Sequence, residues 1–134
     1  MRFTILLSSI LFLALPLSGC MSGGHCEYED IPGKARIVSV DPAPKAGPNC
    51  TMERVKVVYD FIPDDPSETD LVEKGWVLTT DIGQNPPRSW VESSGLTVGS
   101  EHPAVRSEIT EGSCDPTSIY ITGLDPAPVE QNCF

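Results

Sequence analysis

Proline constrains this chain more than any other feature. Twelve prolines lie between residues 20 and 134, about twice the usual ~5%. Each removes a backbone N–H and fixes φ, so an interior helix that met one would break. The chain is thereby cut into short segments, which argues against long helices and for a strand-rich fold with many turns.

The clearest segment is Arg54 to Phe61, where Val55, Val57, Tyr59 and Phe61 alternate with Arg54, Lys56 and Asp60. That alternation is what one buried and one wet sheet face requires. Further strands are expected at Ala35–Val40, Trp76–Thr80, Leu96–Val98, Ala104–Thr110 and Ser118–Thr122. In Ala104–Thr110 the pattern places Val105 and Ile109 inward, and Arg106 and Glu108 outward. Two short helices are expected between the strands. Asn85-Pro86-Pro87 supplies a cap and proline for one that Gly95 ends, with Trp90 and Val91 as its apolar residues. Asp65, Pro66 and Glu68 begin the other, with Gly75 as its stop, although Leu71–Thr80 also fits a hairpin about Lys74-Gly75. The fold expected is mainly β: a small disulfide-stapled β-sandwich or open barrel of about six short strands with one or two short helices.

The start of the chain, MRFTILLSSILFLALPLSGC, has one cation at Arg2, an apolar stretch from Phe3 to Leu15, and small residues at Ser18, Gly19 and Cys20. These are the parts of a secretory signal. A transmembrane helix needs about 20 consecutive apolar residues, and Pro16 breaks this run. Leu17-Ser18-Gly19-Cys20 resembles the lipobox of bacterial lipoproteins. The resemblance covers the signal and the first mature residue only. It implies cleavage before Cys20, a diacylglycerol on the Cys20 sulfur and often an acyl chain, such as palmitate, on the new amino group. Two or three chains on one residue make a lasting anchor, since one myristoyl chain binds only marginally. The expected organisation is a signal at 1–19, a flexible lipidated tether at 20–25, and one extracytoplasmic domain at 26–134. The membrane is then a partner through the lipid, and the location is the cell envelope. In a host with two membranes this means the outer membrane, facing the periplasm or the cell surface, because Met21 is not the aspartate associated with retention at the inner membrane.

Without Arg2 the chain carries 8 Lys and Arg against 19 Asp and Glu, a formal charge of −11. Nucleic acid and anionic lipid headgroups would be repelled, while a basic partner is allowed. With Cys20 given to the lipid, Cys26, Cys50, Cys114 and Cys133 remain, an even number that reads as two disulfides in an oxidising compartment. Metal binding is disfavoured, because the closest cysteines are 19 residues apart. Val40-Asp41-Pro42-Ala43-Pro44 leading to Asn49-Cys50 is echoed by Leu124-Asp125-Pro126-Ala127-Pro128 leading to Asn132-Cys133. The echo suggests two similar strand exits, each closed locally, and hence the pairs Cys26–Cys50 and Cys114–Cys133.

No catalytic constellation stands out. His25 falls in the tether and His102 in a turn before Pro103, and neither Gly-x-Ser-x-Gly nor Ser-x-x-Lys occurs. Asp64, Asp65, Glu68 and Asp70 are the densest acids, but Pro66 interrupts them and no calcium-loop pattern is present. Arg88 and Trp90 are of the types enriched at binding hot spots, with Trp90 also fitting a core anchor. The expectation is a non-enzymatic binding or accessory module of the envelope, with no cofactor and no metal, its partner an envelope protein. The alternatives are an enzyme using carboxylates on wall or surface material, and an inhibitor of a basic hydrolase.

Overall fold

The computed structural model describes residues 24–133. The signal segment, the lipobox and Cys20 lie outside the described residues. Five strands follow in chain order: β1 (Glu27–Ala43), β2 (Arg54–Pro63), β3 (Glu73–Leu78), β4 (Glu101–Glu111) and β5 (Thr117–Ile121). One helix, α1 (Arg88–Ser93), lies between β3 and β4. The strands form one antiparallel sheet in the order β3-β2-β1-β4-β5.

The sheet is an open barrel, curled so tightly that its interior is the core. Tyr59 on β2 donates its hydroxyl hydrogen to the Ile119 carbonyl of β5 at 2.9 Å. Three strand spacings separate those two strands, about 14 Å in a flat sheet. Arg106 on β4 likewise reaches Glu73 on β3 at 3.1 Å, across β1 and β2. Ala35, Ile37, Val55, Val57, Tyr59, Phe61, Ala104 and Ile119 line the concave side, with Val91 and Leu96 packed on it. Extra residues help the sheet to curl. Val38 is the extra residue on β1 against Tyr59 and Val58, and on β3 Lys74 and Gly75 together face Asp60, again one residue in excess.

β1 is the spine. Its residues 27–36 pair with β4 and its residues 33–43 with β2, so only a short stretch is paired on both sides. Gly33 lies in that stretch, and a Cβ there would fall on the Phe61 ring and the Ile62 carbonyl. Pro32 costs the ladder nothing. Its missing N–H points toward β2 just where that strand ends, and its carbonyl accepts the Asp64 N–H.

Several expectations need correction. Leu96–Val98 is a loop in which Leu96 is buried, and the described residues hold five strands. β1 extends well beyond Ala35–Val40. The helix expected after Asp65 is only a 3-10 turn at Thr69–Leu71, and Gly75 belongs to β3, where a φ of +75° suits glycine and its N–H meets the Asp60 carboxylate. In β4 the faces are reversed. Arg106 points into the barrel and Val105 outward, because Glu73 and Glu108 take the guanidinium. Arg54 does lie on the face opposite Val55, yet it is buried, because the 85–87 segment covers it and Asn85 accepts its Nη1 hydrogen.

The bridges are Cys26–Cys114 and Cys50–Cys133, which overturns the local pairs Cys26–Cys50 and Cys114–Cys133. The reason is the length of β1. It carries the chain from Cys26 at one end of the barrel toward Cys50 at the other, while the β4–β5 turn brings Cys114 back to the first end. The Asn-Cys ends of the two echoes do meet, but they are bridged to each other, with the Asn49 N–H on the Cys133 carbonyl at 3.1 Å.

Candidate functional site

The edges of the open barrel, β3 and β5, are separated by a seam. After Ile121 the chain turns at Gly123, whose φ is +75°, and runs back over α1 toward Cys133. Trp90 of α1 lies under this returning segment, half-buried against the core, and donates its indole N–H to the Asp125 carbonyl at 3.2 Å. Between the residues that follow β3 and the returning segment lies a groove of about 270 Å³, lined by Leu78, Asp81, Trp90, Tyr120, Ile121 and Asp125 among others. Its walls mix aromatic and aliphatic side chains with the polar Thr79 and Thr80, and the charges it presents are two carboxylates. Tyr120 is 46% exposed.

Trp90 is therefore both a core anchor and part of a groove, whereas Arg88 is not free. Its Nε meets Glu53 at 2.6 Å and its backbone N–H meets the Glu53 carbonyl at 2.8 Å. That contact fixes the start of α1 on β2, next to the buried Pro86 and Pro87. The helix begins at Arg88 with no side-chain cap, and Gly95, at a φ of +71°, follows its end as the sequence suggests.

His102 lies in a second, open cleft with Gly33, Lys34, Asp64, Glu101 and Pro103. Its Nε2 is 2.9 Å from the Ser100 hydroxyl oxygen. The Ser100 hydrogen is directed to the Thr97 carbonyl at 2.6 Å, so the imidazole donates in this pair and does not draw a proton from the serine. Glu101 is held below the ordinary carboxyl range by its hydrogen bond with Arg36 and, to a lesser degree, by the charge of Lys34. Glu101 in this cleft is thus held by Arg36 and Lys34. Asp65 is bound by the Ser67 hydroxyl and N–H, which lower its pKa and make the acidic run a local turn. His25, at 3.6 Å from Glu27, is exposed.

Comparison with protein-family models, with curated proteins and with solved structures finds no match to this chain.

One cluster has the composition of a metal site: Cys50, Glu130 and Cys133 lie within ligand distance of one another. Both sulfurs are committed to a disulfide, so the site is structural. Glu130 accepts from the N–H groups of Thr51 and Met52 and pairs with Arg54 at 3.2 Å. Those bonds, that from Thr51 foremost, hold its carboxyl below the ordinary range against the opposing effect of burial. Neither the seam nor this cluster was visible in the sequence, because both join segments far apart in the chain.

Proposed function

We propose that the chain is a lipid-anchored lipoprotein of the bacterial envelope whose folded domain binds another envelope protein. The anchor rests on Leu17-Ser18-Gly19-Cys20, and two disulfides suit an oxidising compartment. The observation that carries the binding role is the groove beside Trp90, where the apolar and aromatic surface of Leu78, Tyr120 and Ile121 alternates with the polar groups of Thr80, Asp81 and Asp125. Concavities that combine apolar surface with placed polar groups are the usual form of a binding site.

Both parts are testable in cells. Cys20→Ser is expected to lose fatty-acid labelling, and equal labelling of variant and parent would remove the anchor. A photo-crosslinking residue at Tyr120 is expected to give a discrete adduct with an envelope protein. The same residue at Lys56, exposed on the convex side, is expected to give none. Equal adducts at both positions, or none at Tyr120, would defeat the binding role.

A further inference from the structure

We infer that β5 is a docking edge that receives an extended, lysine- or arginine-bearing segment of a partner protein as a sixth strand. The inference rests on the binding role proposed above and names its occupant.

Topology supplies the first reason. Every neighbouring pair in the sheet is antiparallel, so the two edge strands, β3 and β5, run in the same direction. They cannot close on each other as an antiparallel pair, but one strand running the opposite way would be antiparallel to both.

Backbone direction supplies the second. The Thr122 N–H bonds the Pro103 carbonyl and the Ile109 N–H bonds the Pro116 carbonyl. With the β4–β5 register, these bonds turn the even positions of β5 toward β4. The N–H and C=O groups of Thr117, Ile119 and Ile121 therefore face the seam. At Ile119 the carbonyl already has a donor, the Tyr59 hydroxyl reaching across the barrel interior. That side chain stands where the backbone N–H of a sixth strand would be.

The third reason is how differently the two edges are protected. β3 carries Glu73 and Lys74 and is kinked by the extra residue at Gly75, all of which discourage pairing. β5, with the sequence Thr-Ser-Ile-Tyr-Ile, has no charge, no proline, no glycine and no bulge. Such an edge invites a strand.

Charge selects the occupant. Asp81 and Asp125 line the groove at the end of the seam, no cation lines it, and Glu111 and Asp115 precede β5. The nearby Arg106 is buried and engaged by two glutamates. A second copy would bring a further formal charge of −11 against this edge, whereas a basic segment is attracted.

The test uses the full chain in detergent micelles and a labelled peptide alternating lysine with valine, followed by fluorescence anisotropy and by amide hydrogen exchange. Binding is expected, with slowed exchange at Ile119 and Ile121. Affinity is expected to fall about tenfold when the peptide is N-methylated at alternate positions, since ladder hydrogen bonds are lost. It is also expected to fall severalfold in Asp81→Asn/Asp125→Asn, and to weaken as salt rises from about 50 to about 300 mM. Tyr59→Phe, which frees the Ile119 carbonyl, is expected to bind more tightly. Four results would overturn the inference: no binding up to about 1 mM, equal binding of a glutamate–valine peptide, indifference to N-methylation, or protection of the same amides by self-association without peptide. If the Tyr120 adduct forms in cells while the peptide fails, the binding role stands and strand addition falls. If both fail, the binding role falls as well.

Discussion

The two ends of the barrel are built from the same parts and differ in their access to water. At one end Cys50–Cys133 is buried, and beside it Arg54, 1% exposed, meets Glu130, itself 12% exposed. At the other, Cys26 is half-buried and its partner Cys114 exposed, and the buried Arg106 meets Glu73 and Glu108, whose side chains are 37% and 46% exposed. The bridges span nearly equal lengths of chain, 88 and 83 residues. Loop-closure entropy therefore gives them nearly equal weight, and what separates them is how easily a reagent reaches them.

The largest effect is expected from the bridges. Replacing either cysteine pair by alanine is expected to cost about 4–5 kcal/mol on the chain-entropy argument, measured by denaturant melts. Loss at only one end would break the equivalence. Graded reductant, followed by peptide mapping, is expected to open Cys26–Cys114 first, and the opposite order would reverse the contrast in access.

Next comes the waist where the ends meet. Phe61 is fully buried over Gly33, so Phe61→Ala is expected to cost about 3–5 kcal/mol. Lys56→Ala, on the wet face, should remain within about 0.5 kcal/mol. Equal losses would mean that the concave face is misassigned.

A smaller effect is expected from alkali. Burial pushes the Tyr59 hydroxyl up from 10.0 to about 12. Its folded pKa lies above its unfolded one, so the stabilisation is complete below pH 10 and is lost as pH rises toward 12. Two units correspond to about 2–3 kcal/mol. Tyr59→Phe should flatten that part of the stability–pH curve, and an unchanged curve would assign the loss to another group.

Acid is expected to loosen the Cys50–Cys133 end through Glu130. The lowered pKa of Glu130 means that its contribution is present above the ordinary carboxyl pKa and fades as pH falls through the folded value. Hydrogen exchange is then expected to quicken at Thr51 and Met52 before it does at the Cys26 end. Simultaneous loosening of both ends would count against the separation drawn here.

The reasons why parts of this molecule were legible in the sequence, and others not, are local. β2 showed itself because its alternating residues face a dry interior on one side and mostly water on the other. β4 shows the same alternation with the opposite meaning: glutamates on β3 and on β4 itself drew Arg106 inward, and one of them is supplied by tertiary structure. β1 is expected only at Ala35–Val40, yet it passes through Pro32 and Gly33, because Pro32 sits where β2 ends and Gly33 makes room for a ring. The length of β1 also determines which cysteines meet, so the pairing was hidden with it. Trp90 and Arg88 were both picked out, but only the returning C-terminal segment decides which of them borders a groove.

The position of Cys26 at the start of β1 has a mechanical consequence. A pull on the chain from its N-terminal side, as on a tethered domain, reaches the fold at that residue. Without the bridge the load would fall on the ladder between β1 and β4, straining the first bonds before the rest. With Cys26 joined to Cys114, the load passes through sulfur into the β4–β5 turn, and the strand spine is relieved. The bridge then acts as a strain relief where the described chain enters the fold. Single-molecule stretching from the N-terminal side should show a lower rupture force once it is reduced.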